Sequence, residues 1–196
     1  PLESMTTALR LAEALIACRS LTPHDGGCQA LLAARLLPLG FTCEQLDAGP
    51  DAARVSNLWA VHSSGRPGPT LVLAGHTDTV PCDPALWRRD PFTLREADNR
   101  LYGLGTADMK AFLALAIEAV RGLRADDLKR PLVLLATADE ESGMLGARTL
   151  AAAGRRLGRH CIIGEPTGLK PIRQHKGIFD ERIRLRAGAD PAESYT

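Results

Sequence analysis

Acidic side chains and one histidine directly follow three short apolar runs of this sequence. In chain order they are His76 and Asp78 after residues 71–75, Glu140 and Glu141 after residues 132–137, and Glu165 after residues 161–164. Short continuous apolar runs are typical of strands buried on both faces of a sheet. In open α/β sheets, ligands bind beyond the carboxyl ends of the strands, so we expect these groups to meet in one crevice.

The first of these groups has a spacing that suits a metal ligand and its support. His76 and Asp78 are two residues apart and project to the same side of an extended chain. A neutral imidazole binds zinc through one ring nitrogen, and Asp78 is placed to orient the ring through the other. The alternative is a surface histidine beside an aspartate that forms a turn.

Asp108 is a further candidate ligand, at the start of a predicted helix over residues 109–121. Aspartate is a favoured N-cap, and capping alone would explain this position. The glycines at 103 and 105 permit the close approach of backbone that a metal site needs. The sequence leaves both interpretations open.

The three glutamates complete the set. Glu140 and Glu141 repel each other unless a positive group lies nearby or one of them is protonated, although a surface turn would tolerate them. A metal hydrolase needs two different acids, one as a ligand and one as the general base for water.

Glu165 is the third glutamate. Pro166 holds its backbone toward extended conformations, and the alternative is that Glu165 is an ordinary acidic residue of a loop. Imidazole with several carboxylates suits Zn, Mn or Co, and two ions that share a bridging acid.

Helical and strand patterns alternate along the chain. Helices are predicted over residues 6–18, 29–37, 109–121 and 145–153, and strands over 41–46, 55–62, 70–75, 131–137, 161–164, 172–175 and 178–186. This alternation predicts an α/β fold with a mixed, largely parallel sheet and helices on both faces. We expect a catalytic domain over residues 1–178, incomplete at its C-terminus, and the start of another region over residues 179–196.

The composition excludes several classes of function. Lys plus Arg number 24 and Asp plus Glu number 23, so the net charge of +1 gives no reason to expect nucleic acid or a membrane surface as partner. No apolar run approaches the roughly 20 residues that span a bilayer, and no secretory signal is visible. The five cysteines are scattered and contain no CxxC pair. We therefore expect reduced thiols and a cytoplasmic protein.

Five segments resemble the acetylornithine deacetylase family, which belongs with the zinc aminoacylase- and desuccinylase-type metallopeptidases, including succinyl-diaminopimelate desuccinylase. The segments are GHTDTVP (75–81), LYGLGTADMK (101–110), ADEES (138–142), IGEPT (163–167) and PIRQHKG (171–177). Their common order over about a hundred residues makes a chance match untenable. The resemblance implies an aminopeptidase-like, three-layer fold and hydrolysis of a small N-acyl amino acid such as acetylornithine, in arginine biosynthesis.

The resemblance also implies roles for individual residues. His76 and Glu165 would hold one zinc ion, Asp108 would bridge two ions, Glu141 would hold the second, Asp78 would orient His76, and Glu140 would be the general base. A cis peptide bond is implied after Asp108. The substrates acetylcitrulline and succinyl-diaminopimelate remain alternatives, as do the activities of a carboxypeptidase or an aminoacylase of the same family.

The sequence departs from the family at two places. The histidine that the family supplies to the second zinc ion comes from the C-terminal part of a longer chain, and His24, His62, His160 and His175 do not stand in that context. Of the family's lid and dimerisation domain only the first residues could be present, which puts a homodimer in doubt. Two hypotheses follow: a piece of a working deacetylase, or a truncated domain that binds metal without turnover. We expect the 196-residue chain alone to be at best feebly active.

Overall fold

The computed structural model of the chain describes residues 2–67, 70–154 and 157–174. Its helices are α1 (Leu2–Ala17), α2 (Cys28–Leu36), α3 (Lys110–Val120) and α4 (Leu145–Ala152). Its strands are β1 (Thr42–Ala48), β2 (Val55–His62), β3 (Leu71–His76), β4 (Arg95–Ala97), β5 (Arg100–Tyr102), β6 (Leu132–Thr137) and β7 (His160–Ile163). The four predicted helices and the predicted strands up to residue 164 all form, and all but the strand over 55–62 have shifted ends.

The helices form where apolar residues recur at helical spacing. In α1, Leu11, Leu15 and Ile16 are almost fully buried, because they lie on one stripe of the helix. α2 ends just before Pro38, which lacks an amide hydrogen for the helical ladder, and Gly40 closes the turn with a φ of 85°.

The main sheet has five strands in the order β1-β2-β6-β3-β7. β3 runs parallel to both β6 and β7, whereas β1 with β2 and β2 with β6 are antiparallel. The mixed sheet that the sequence predicted is therefore confirmed. His76 pairs with Thr137, so the carboxyl ends of β3 and β6 lie level with each other.

Helices cover both faces of this sheet. On one face, buried residues of α1, α2 and α3 pack with Leu58, Leu132 and Leu134. On the other face, Leu150 of α4 packs with a cluster that includes Val133. Successive residues of β6 thus point into different cores, as the two-residue period of a strand requires. This confirms the three-layer α/β arrangement.

Two local expectations need correction. The run that forms β7 was expected to be buried on both faces, but all four of its residues are exposed, including Ile162 at 53% and Ile163 at 60%. The reason is its position at the edge of the sheet, where β3 is its only strand partner among the described residues. The antiparallel hairpin β4–β5 was not predicted, since its strands have three residues each.

The chain divides into two compact units, with the boundary between Pro166 and Thr167. All the strands and helices above lie in the first unit. In the described part of the second, residues 172–174 are not in a strand, so the strand predicted over 172–175 is wrong there. The strand predicted over 178–186 and the domain boundary expected at 178/179 lie outside the described residues. None of the described helices has the length and apolarity needed to cross a membrane.

Candidate metal centre

His76 is the last residue of β3, and its side chain is buried. Its ring Nδ1 lies 2.8 Å from the backbone oxygen of Asp78. A carbonyl can only accept, so Nδ1 carries the hydrogen of the neutral ring and Nε2 keeps its lone pair. The contacting atom of Asp78 is this carbonyl, because the nearer carboxylate oxygen lies 3.7 Å from Nδ1. The histidine is thus held with its free nitrogen facing out from the strand end.

Asp108 reaches His76 because the segment before α3 approaches β3 closely. Gly75 makes this approach possible, since a Cβ at that position would lie 2.8 Å from the terminal carbon of Met109. The peptide bond between Asp108 and Met109 is cis, as the family resemblance implied. Asp108 Oδ1 lies 3.0 Å from His76 Nε2. The N-cap position of α3 is held by Met109, so the capping interpretation of Asp108 is wrong.

Glu140 and Glu141 lie in the turn that follows β6. Both of their backbone amides donate to the carboxylate of Asp78, at 3.2 and 3.1 Å. Asp78 is completely buried, so these bonds fix the turn firmly against the end of β3. One Glu140 carboxylate oxygen lies 3.8 Å from His76 Nε2.

Glu165 follows β7 and closes the site from the side opposite Glu140. Its Oε1 lies 3.7 Å from His76 Nε2. The predicted strand-end groups therefore do converge. Two sets of three have ligand atoms within 4.8 Å of one another: His76 with Asp108 and Glu165, and His76 with Glu140 and Glu141.

The site carries an excess of negative charge. Burial raises the pKa of Glu141, and the charge of Asp108 raises it further, against the attraction of His76. Burial also raises the pKa of Glu165, with Asp108 and Glu140 adding to the effect and His76 opposing it. In the described ranges, the ion pairs made by these acids all have His76 as their cation. A bound cation would relieve this repulsion.

The neighbouring acids also shift the pKa of His76. Burial lowers the pKa of His76, but the hydrogen bond to the Asp78 backbone, the charges of Asp78 and Glu140 and the hydrogen bond to the Asp108 carboxylate outweigh burial and raise this pKa above its ordinary value. A positive charge is therefore favoured where Nε2 points.

The geometry fits a small divalent ion. Tetrahedral zinc binds N and O ligands at about 2.0–2.2 Å, which places neighbouring ligand atoms roughly 3.3–3.6 Å apart. The distances from His76 Nε2 to Asp108 Oδ1 and to Glu165 Oε1, 3.0 and 3.7 Å, lie on either side of that range. Imidazole and carboxylate ligands suit Zn, Mn or Co.

Lys110 is completely buried, and in the described ranges the site acids pair within 4.0 Å with His76 and not with Lys110. Its ammonium donates to the backbone oxygens of Leu15 and Cys18, at 2.9 and 2.8 Å. These carbonyls lie at and just past the C-terminal end of α1, and each also accepts a backbone amide, from Cys18 and Ser20 respectively. Lys110 therefore joins α3 to α1, directly behind Asp108.

Within the part of the chain that the structure describes, the remaining histidines, His24, His62 and His160, do not join the site. His62 lies at the far end of β2, with its ring edge-on to Phe41 at 5.0 Å between centroids. His160 starts β7 at the end away from Glu165, and His24 is exposed in a loop. His175 lies outside the described residues. Sequence reasoning also missed the supporting contacts of Asn57, which accepts from the Ala138 amide and donates to the Gly146 carbonyl.

Comparison with known proteins agrees with this geometry. Acetylornithine deacetylase of Edwardsiella ictaluri (strain 93-146) is 48% identical over 195 residues, which cover 94% of this chain and 50% of that protein. Acetylornithine deacetylase of Klebsiella pneumoniae (strain 342) is 50% identical over 166 residues, covering 83% of this chain and 43% of that protein. The chain spans about half the length of the curated relatives it matches.

Solved structures support the fold. Human carnosine dipeptidase 1 superposes with a TM-score of 0.70 at 23% identity, over 83% of this chain and 38% of that one. The M20 family metallo-carboxypeptidase Sso-CP2 from Sulfolobus solfataricus superposes with a TM-score of 0.68 at 19% identity, over 80% of this chain and 37% of that one. Residues 72–186, more than half of the chain, match the sequence profile of peptidase family M20/M25/M40. That span contains all the candidate metal ligands described above, and the chain belongs to this family.

Proposed function

We propose that this chain carries the metal-binding part of a zinc amidohydrolase that removes the acetyl group from an acetylated amino acid, with acetylornithine as substrate. One observation carries the proposal: His76 Nε2 lies between 3.0 and 3.8 Å from three carboxylates that come from separate parts of the chain. Two relatives that are 48% and 50% identical bear the name acetylornithine deacetylase. Such an enzyme would serve arginine biosynthesis in the cytoplasm.

In this proposal the ligands divide between two zinc ions. His76 and Glu165 would hold one ion, Asp108 would be shared with the second, and Glu141 would hold the second. The first assignment is supported by the grouping of His76, Asp108 and Glu165. Glu141 groups with His76 and Glu140 instead, so the division of roles between the two adjacent glutamates rests on the family resemblance.

Zinc in this position supplies a Lewis acid that lowers the pKa of water and polarises the acyl carbonyl. The side chains then have separate tasks. The Glu140 carboxylate accepts a proton from the attacking water and delivers it to the departing amine nitrogen, while the C–N bond breaks and acetate forms. Asp78 holds the Glu140 and Glu141 amides and, through its carbonyl, the ring of His76.

The substrate is tested with a protein that contains this chain and the further length of its relatives. Hydrolysis of acetylornithine, acetylcitrulline and succinyl-diaminopimelate is compared at equal concentrations with zinc present. We expect kcat/KM to be highest for acetylornithine. A preference for either of the other two substrates would assign the alternative activity, and a protein that neither binds zinc nor hydrolyses any of them would refute the proposal.

The roles of the two glutamates are tested by a pair of variants. Glu140→Ala should lower kcat by roughly 10²–10⁴-fold, the usual contribution of a general base, and leave the zinc content unchanged. Glu141→Ala should lose the second zinc ion, so that its zinc content falls by about half. Glu96→Ala in the exposed β4–β5 hairpin is the matched control, because Glu96 belongs to neither metal group. If Glu140→Ala loses zinc and Glu141→Ala keeps it, the two roles are exchanged.

A further inference from the structure

A loop near the N-terminus lies along the strand end that carries His76. We call residues 20–25 the strap. The Thr79 amide donates to the Ser20 carbonyl and the Thr22 amide donates to the Thr79 carbonyl, each at 2.9 Å. The buried Ser20 hydroxyl donates to the Thr77 carbonyl at 2.7 Å. The strap therefore extends the hydrogen bonding of β3 past its last residue.

Thr22 connects the strap to the turn of the two glutamates. Its hydroxyl lies 3.1 Å from the Ser142 hydroxyl and 3.4 Å from Asp139 Oδ1. The Ser142 hydroxyl also donates to Asp139 Oδ1. Thr22 is 117 residues away from Asp139 along the chain, so this contact exists only in the folded protein.

Asp139 organises the turn around Glu140 and Glu141. Its backbone has a φ of 60°, in the left-handed region that residues with a side chain seldom occupy. Its carboxylate accepts from the Gly143 amide at 3.3 Å and from the Leu145 amide at 3.0 Å, which spans the turn from before the glutamates to the start of α4. Aspartate tolerates this backbone conformation because its short side chain bonds locally in this way.

The turn is therefore fixed from two sides. On one side, Asp78 accepts the amides of Glu140 and Glu141. On the other side, Asp139 is held by Thr22. A small rotation of the backbone at Asp139 would swing both glutamate side chains away from His76, since they follow it directly in the chain.

We propose that Asp139, held by the Thr22 hydroxyl of the strap, is a positioning residue that aims Glu140 and Glu141 at the metal site. The inference rests on the proposed function only for what the two glutamates do once aimed. Neither Thr22 nor Asp139 belongs to a metal group, so both act through the turn.

The test of the strap contact uses two substitutions of Thr22. Thr22→Val keeps the shape and removes the hydroxyl, whereas Thr22→Ser keeps the hydroxyl. We expect Thr22→Val to weaken zinc binding and to lower kcat by roughly tenfold, the lower end of the effect of outer-shell groups, with KM within about twofold and Thr22→Ser close to wild type. Thr93→Val is the matched control, because Thr93 also donates to an aspartate in a turn, at 3.0 Å.

Asp139 is tested in the same assays. Asp139→Asn replaces one acceptor oxygen by a donor and should lower zinc affinity and kcat by roughly 10–100-fold. Asp90→Asn is its control, since Asp90 accepts from the Phe92 amide and the Thr93 hydroxyl in a comparable turn. Zinc affinity is measured by competition with a chromophoric chelator, and thermal unfolding is recorded for every variant.

The outcomes separate the two proposals. If the wild-type protein that contains this chain and the further length of its relatives neither binds zinc nor hydrolyses the substrates, the proposed function is refuted. Wild-type activity in Thr22→Val refutes the positioning role and leaves the function intact. A purely structural role is indicated, and the inference overturned, if Thr22→Ser fails to rescue and both Thr22 variants lose thermal stability in proportion to activity.

Discussion

Replacing Asn57 should destabilise the fold strongly, because this side chain joins three elements at once. It lies near the start of β2 and is 1% exposed. Its Oδ1 accepts from the Ala138 amide at 3.1 Å, and its Nδ2 donates to the Gly146 carbonyl at 3.0 Å. Gly146 packs so tightly that a Cβ there would overlap Asn57 Oδ1 and lie 2.7 Å from the Ala138 carbonyl. Asn57→Ala therefore leaves the buried Ala138 amide without its acceptor and removes one of the donors to the Gly146 carbonyl, which lies inside helix α4.

An unsatisfied buried amide costs about 1–3 kcal/mol and a lost hydrogen bond about 0.5–1.5 kcal/mol, so the loss should be about 1.5–4.5 kcal/mol out of a total of roughly 5–15 kcal/mol. The assay is urea unfolding followed by circular dichroism, with the slope against denaturant compared between variants. Gln45→Ala, which removes an exposed amide side chain from the neighbouring strand β1, should change stability by less than about 0.5 kcal/mol. A loss under about 1 kcal/mol for Asn57→Ala would refute the reasoning, since it would mean that water or a shifted backbone satisfies the Ala138 amide.

Two further predictions concern buried groups outside the metal site. Burial lowers the pKa of Lys110 below 10.5, so between its native pKa and 10.5 the native state binds fewer protons than the unfolded state, and stability rises with pH. Urea unfolding at several pH values should therefore show wild type gaining stability relative to Lys110→Met as the pH rises toward 10.5, and a flat or falling difference would contradict this. His62→Phe should be neutral or stabilising by up to about 1 kcal/mol, because it removes a buried Nδ1 without a partner in the described structure. Zinc affinity should not change in this variant; a loss would make His62 a ligand.

The position of the candidate metal site at the carboxyl ends of the strands could be predicted from the local pattern of apolar and polar residues. A strand buried between two helical layers needs a continuous apolar run, and the first polar residues after the run mark its carboxyl end. His76 and Glu140 follow such runs, so their approach to a common edge was expected before any contact was known. The helix at 110–120 was likewise fixed by apolar spacing.

The local sequence pattern gave wrong predictions for residues whose neighbours in the fold come from distant parts of the chain. The apolar run of β7 has the composition of a central strand, but the order of strands places it at an edge. Asp108 has the sequence position of an N-cap. However, Met109 is the N-cap of α3, so the Asp108 carboxylate does not cap the helix and instead contacts His76.

The sequence by itself determined which chemical groups are available and at which strand ends they stand, because burial imposes a short repeating pattern on neighbouring residues. Only the tertiary structure decided which atom of each group does what. The carbonyl of Asp78 holds the histidine while its carboxylate holds the amides of the glutamate turn, and Thr22 reaches Asp139 across 117 residues. Contacts of that range leave no trace in local spacing, since they depend on how loops from separate strands pack together.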